Sequence, residues 1–157
     1  MKSVSSLLAA AARANIVAGT RLALFLKVDP LDFRVSAGHY AALVLISLFF
    51  WAACGIARGG IPEGIDAQAL TVAIAQVPLL LLACMLAAQV FGRPSLALPF
   101  AVLFTASDPL FEVVGTILRY AVEIEALEGW SGAVNLLYIG WGYAVIIRAQ
   151  WLLTGWS

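Results

Sequence analysis

Leu96 to Leu118 reads LALPFAVLFTASDPLFEVVGTIL, an apolar run with Ser107, Asp108, Pro109 and Glu112 set into it. A helix rises about 1.5 Å per residue, so about 20 apolar residues cover the roughly 30 Å of bilayer hydrocarbon. This stretch meets that length. A charge near the bilayer centre costs at least about 2.5 kcal/mol, so carboxylates in such a run either serve a function or mark a break in the span. Counted from Leu96, Asp108 lies about 18 Å across and Glu112 about 24 Å across. Their i, i+4 spacing puts both carboxyls on one helix face.

Two readings of the pair are open. In the functional one, Asp108 and Glu112 form a proton or cation relay, with Gln76 and Asn135 as polar neighbours from adjacent spans. In the structural one, Ser107-Asp108-Pro109 is a helix start: Ser or Asp as N-cap, proline in the first turn, and Glu112 near the positive helix end. Arg119 sits two turns beyond Glu112, about 10 Å away along a helix, and needs a bend or an intermediary to pair with it. The motif favours the structural reading, so the third span is expected to be broken near Asp108-Pro109. The two readings differ geometrically. A helix continuous through Pro109, with both carboxylates facing a polar cavity, supports the relay; Asp108 capping a helix end supports the break.

The rest of the chain has the same solvent. Of 157 residues, 63% are hydrophobic and 11% charged, and mean hydropathy is +0.99. Soluble domains run near 45 to 50% apolar and about 25% charged. By length this is one domain, and by composition it belongs in a bilayer. Net charge is zero, so no basic field draws nucleic acid.

Three more spans flank the opening stretch. Residues 37–57, AGHYAALVLISLFFWAACGIA, contain no Lys, Arg or acid, and Ser36 is placed to cap them. Residues 69–91 are apolar apart from Thr71, Gln76 and Gln89, with Pro78 expected to kink the helix. Residues 130–152 carry Asn135 as the strongly polar interior residue. The loop of residues 58–68, RGGIPEGIDAQ, and the return Gly92-Arg93-Pro94-Ser95 separate these runs. The expected fold is an all-α integral membrane protein: residues 1–35 form an amphipathic helix and linker, and residues 36–157 form four transmembrane helices.

Residues 3–27 predict a helix interrupted by Arg13, Arg21 and Lys27, too cationic to span. It is expected either to lie in the interface with its basic stripe toward the headgroups or to pack on a partner subunit. Arg34 extends that basic surface past the break at Val28-Asp29-Pro30. Lys2 followed by an apolar stretch and Ala12-Arg13-Ala14 mimics a signal peptide. The short apolar core and the arginine inside the site predict that the N-terminus is retained.

Cations set the orientation. With the N-terminus in the cytoplasm, Lys2, Arg13, Arg21, Lys27, Arg34, Arg93 and Arg148 lie inside, against Arg58 and Arg119 outside. The C-terminus is then cytoplasmic too. Tyr40, Trp151 and Trp156 are expected as anchors at the inner interface, and Trp51, Tyr120 and Trp130 at the outer one. His39, the sole histidine, is expected beside Tyr40 as a polar-tipped anchor. Cys54 and Cys84 lie in apolar runs without metal-ligand spacing and read as buried hydrophobes.

No nucleotide-binding, metalloprotease or serine-hydrolase motif is present in the sequence. The chain is therefore expected not to be an enzyme and to hold no metal or cofactor. The absence of such chemistry, the basic helix and the abundance of Ala and Gly point to an accessory or scaffold subunit. Its partners would be membrane lipids and other membrane subunits, in a hetero- or homo-oligomer. The alternatives are a small proton- or ion-coupled carrier using Asp108 and Glu112, and a lipid- or pigment-contacting protein whose tryptophans line a groove.

Thr20-Arg21-Leu22-Ala23-Leu24-Phe25, Val28-Asp29-Pro30, Asp32-Phe33 and Ser36 together resemble the opening of multi-pass regions in proteobacterial proteins, including those joined to legumain-like peptidases. The hairpin through Phe91-Gly92-Arg93 is similar to the Yip-type membrane domain. Neither resemblance carries a catalytic motif. What they imply is a bacterial inner membrane.

Overall fold

The computed structural model describes residues 4–60, 67–124 and 128–155, and every regular element among them is helical. The five helices are α1 Val4–Ala23, α2 Ala37–Gly59, α3 Ala67–Val90, α4 Ala97–Glu123 and α5 Ser131–Thr154. The last four are long and apolar enough to cross a membrane. Helix is the structure that satisfies every backbone polar group inside one segment, as hydrocarbon requires. Expected span boundaries and observed ones agree to within a few residues.

Local chemistry sets the breaks. Asp29 caps a 3-10 turn over Pro30–Asp32, accepting from the Leu31 N–H at 2.9 Å while Asp32 accepts from the Asp29 N–H at 2.9 Å. Ser36 Oγ then accepts from the His39 N–H at 3.1 Å and opens α2. His39 Nδ1 lies 3.0 Å from the Arg34 carbonyl, which turns its ring back onto the linker.

The central helix is α4. In its most apolar stretch 44% of residues are buried, against 6 to 11% in the other three spans. Phe100, Ala101, Val102, Leu103, Thr105, Ala106 and Ser107 form a continuous buried segment within it. The other spans turn aliphatic faces outward, among them Leu45, Leu79, Leu82, Leu136 and Leu137. With lipid as solvent, exposed apolar surface of this kind is the stable arrangement.

Contrary to the helix-start reading of Ser107-Asp108-Pro109, α4 runs unbroken through Pro109. Neither capping residue caps. Ser107 Oγ donates to the Leu103 carbonyl at 3.1 Å and to the Gly19 carbonyl at 3.2 Å, whereas an N-cap would accept from its own helix. Asp108 accepts instead from Ser47 Oγ of α2 at 3.2 Å. Pro109 has no N–H to give the Thr105 carbonyl. Packed neighbours make that loss tolerable in a membrane helix.

α1 also forms, and one side of it packs on α4, α2 and α5 of its own bundle. Ala12, Asn15, Ala18, Leu22 and Ala23 are buried, while Arg13 and Arg21 on the other side are exposed. Gly19 makes the approach possible: a Cβ there would lie 2.3 Å from the Ala106 carbonyl oxygen. Asn15 clasps the linker on both sides, its Oδ1 accepting from the Arg34 N–H at 2.6 Å and its Nδ2 donating to the Arg34 carbonyl at 3.0 Å.

The end of α1 meets a designed set of donors. Its last carbonyls have no intrahelical partner and must be satisfied if buried. Trp141 Nε1 donates to the Ala23 carbonyl at 2.8 Å, Arg148 donates to the Leu22 carbonyl at 2.9 Å, and Arg148 also reaches the Leu26 carbonyl. Phe25 adopts a left-handed φ of 58°, with Leu26 N–H returning to the Arg21 carbonyl at 2.8 Å and Phe25 N–H to Leu22 at 3.2 Å. That is a Schellman ending, with phenylalanine where glycine is usual. The ring earns its place by lying 5.5 Å beneath the Arg148 guanidinium.

Arg148 is thus the C-terminal cap of a helix distant in sequence. Replacing it with methionine keeps the apolar stem and removes both charged hydrogen bonds. We expect a loss of about 2–4 kcal/mol, since each hydrogen bond to a charged group contributes roughly 1.5–3 and this site is only half-buried. Unfolding titrations in mixed micelles would measure it, and hydrogen exchange at residues 20–26 should rise with it.

Candidate functional site

Because α4 is continuous, Asp108 and Glu112 remain one turn apart on one face. That face borders a cavity of about 430 Å³ between α2, α3 and α4. Ser47 and Trp51 of α2, Gln76 of α3, and Thr105, Asp108 and Glu112 of α4 all line it. The remaining walls are aliphatic, including Val44, Leu48, Val77 and Leu80. No Lys, Arg or His is among the lining residues.

The polar groups are unevenly satisfied. Asp108 holds the Ser47 hydroxyl. The hydroxyls of Tyr40 and Thr105, residues only 8% and 2% exposed, make no regular hydrogen bond among the described residues, but they are enclosed and lie close enough to interact with each other. The charges of Arg119 and Arg58 are felt at Glu112, but α4 does not bend to bring Arg119 to it.

Asp108 also borders a second cavity, of about 410 Å³, on the other side of α3. Leu80, Ala83 and Asp108 line both. The second cavity draws on Cys84 and Ala87, so it lies further along α3 toward Val90, and α5 closes it with Gly142, Val145 and Gln150. One carboxylate is therefore adjacent to two spaces, which also share Leu80 and Ala83 of α3 in their walls.

The other expected site residues are distributed as follows. Gln76 joins the carboxylates, as expected. Asn135 does not: it is exposed and lines a different cavity with Gly115, Arg119 and Tyr138. It lies level with Gly115 to Glu123, two turns or more beyond Asp108 along α4, and Tyr138, three residues on, donates to the Phe111 carbonyl at 2.9 Å. Tyr40 is buried and Trp51 half-buried, and both line the cavity. Tyr120, Trp130 and Trp151 are exposed near helix ends, and Trp156 lies outside the described residues. Arg13, Arg21, Lys27 and Arg34 are all exposed, and three of them, Arg13, Arg21 and Arg34, share a groove with Asp32 between α1 and the linker. Cys54 is half-buried and Cys84 buried, both as free thiols.

Ser47, Tyr40, Thr105 and Trp51 are the site residues that composition and spacing pass over. Tyr40, Ser47 and Trp51, seven and four residues apart, share one face of α2 and are a faint periodic signal. Thr105 gives none, since threonine is common in membrane helices. No protein-family model, characterised protein or solved structure matches the chain.

Proposed function

We propose that this protein is a small proton- or cation-coupled membrane carrier in which Asp108 and Glu112 form the exchange site. The observation that supports it is the unbroken α4, which presents both carboxylates to one cavity with Ser47 and Gln76. Ionisable residues within membrane helices are costly and are retained at proton relays and ion pathways. A carboxyl that borders two cavities can exchange its proton with one and its cation with the other. The accessory-subunit reading rests on the absence of other chemistry, the basic N-terminal helix and the abundance of Ala and Gly; the continuous helix through Pro109 favours the carrier over it.

The bias of cations toward one side, together with the resemblance to proteobacterial membrane regions, supports a bacterial inner membrane with both termini cytoplasmic. In that orientation the groove of Arg13, Arg21 and Arg34 faces anionic headgroups.

The test uses purified full-length chain in lipid vesicles with an imposed pH gradient and an internal pH dye. Adding sodium, potassium or tetraphenylphosphonium outside should dissipate the gradient faster than in protein-free vesicles for at least one of them. Identical traces with and without protein for all three would refute coupled exchange.

A further inference from the structure

The cavity between α2, α3 and α4 has a composition that selects its ligand. Its charge is carboxylate alone, with no basic side chain in the lining to neutralise it. An anion would meet Asp108 and Glu112 directly, with Arg119 and Arg58 acting on Glu112 only from outside the lining. Its walls are mostly aliphatic, and Trp51 adds an aromatic surface. A fully hydrated inorganic ion gains little from such walls, whereas an apolar body replaces lipid there at no loss. The volume, about 430 Å³, falls in the range of small-molecule sites, roughly 300–1,000 Å³.

The aromatic lining separates a binding site from a packing defect. Trp51 lines the same cavity as Asp108 and Glu112, and an aromatic face near a carboxylate is the chemistry that holds organic ammonium and phosphonium ions, through cation–π attraction added to the Coulomb term.

We infer that this cavity binds an organic cation with an apolar body, its charge set between Asp108 and Glu112 and its apolar part against Trp51, Leu48 and Val77. The inference names the substrate class of the carrier proposed above, and it rests on that reading only for transport; binding stands on the cavity itself. No covalent bond forms to the ligand: the carboxyl O–H breaks, its proton passes to a water molecule, and the carboxylate left behind pairs with the cation.

The experiment is equilibrium binding to the detergent-solubilised full chain, corrected against empty micelles, with tetraphenylphosphonium as probe and tetraphenylborate as the same shape with opposite charge. Saturable binding of the cation alone is expected. It should weaken at least tenfold in Asp108→Asn/Glu112→Gln and severalfold in Trp51→Ala, while Trp51→Phe, which keeps a smaller aromatic ring, weakens it less than Trp51→Ala. Helicity and elution volume of each variant guard against misfolding. Equal binding of the borate, unchanged binding by the double variant, or no saturable binding to a folded wild type overturns the inference. If sodium or potassium exchanges in vesicles while tetraphenylphosphonium does not bind, the substrate class is wrong and the carrier stands. If tetraphenylphosphonium binds through the carboxylates but no cation is exchanged, the carrier is wrong and the site stands.

Discussion

Gly19→Ala is expected to undock α1, although alanine is the better helix former. Its Cβ would fall 2.3 Å from the Ala106 carbonyl oxygen, 2.4 Å from the Ala106 carbonyl carbon and 2.8 Å from the Ala106 Cβ. These are backbone atoms and the root of a side chain in the middle of the central helix, so no rotamer change relieves the clash. Overpacking of this kind costs about 1–3 kcal/mol when the surroundings can yield. Here yielding means separating α1 from α4, which also strands the carbonyls now held by Ser107, Trp141 and Arg148. Each stranded buried group adds roughly 1–3 kcal/mol. We expect a total of about 4 kcal/mol or more, read as a lowered midpoint in detergent-denaturant unfolding and as new protease cleavage in residues 24–36. Gly38→Ala is the internal control. Its Cβ would meet only Ser36 Oγ at 3.9 Å, so stability should hold or rise slightly.

Asp108→Asn should reduce coupled exchange more than any other single change. Asparagine keeps the volume and can still accept from Ser47 Oγ, so the fold and the 3.2 Å contact survive. What disappears is the ability to exchange a proton for a cation. Because Asp108 borders both cavities and Glu112 only the first, the two substitutions are not equivalent. Asp108→Asn should bring exchange to the protein-free level. Glu112→Gln should lower it by about tenfold, corresponding to the loss of roughly 1.4 kcal/mol of cation binding. Ser47→Ala removes a single hydrogen bond to a charged acceptor and should change rates severalfold at most. Initial rates at matched protein density in vesicles would rank the three.

Hydropathy over runs of some 20 residues gave away the spans, because in a bilayer each helix satisfies its own backbone and is legible by itself. Ser36 as a cap was legible for the same reason: the bond is local. The pairing of Gln76 with the carboxylates came from its depth in a neighbouring span. Contacts between distant segments were not legible. Ser107 meets Gly19 across 88 residues and Arg148 meets Leu22 across 126, and neither serine nor arginine announces that it will serve another helix's carbonyl. For that reason Ser107-Asp108-Pro109 imitated a helix start, and α1 looked like a surface helix when its Ala and Gly positions were a packing face. Aromatic residues near span ends favour interfaces, a preference that says nothing of helical phase, and Tyr40 and Trp51 also line the cavity. Asn135 was misplaced in depth: it sits beside Gly115 and Arg119, two turns or more past Asp108.

The central claim is that α4 holds an exchange site at Asp108 and Glu112. Its most direct test is cation-driven proton flux in reconstituted vesicles, comparing wild type with Asp108→Asn/Glu112→Gln at equal density and verified helicity. The account predicts flux for wild type and a trace indistinguishable from empty vesicles for the double variant. Equal flux in the two would contradict it.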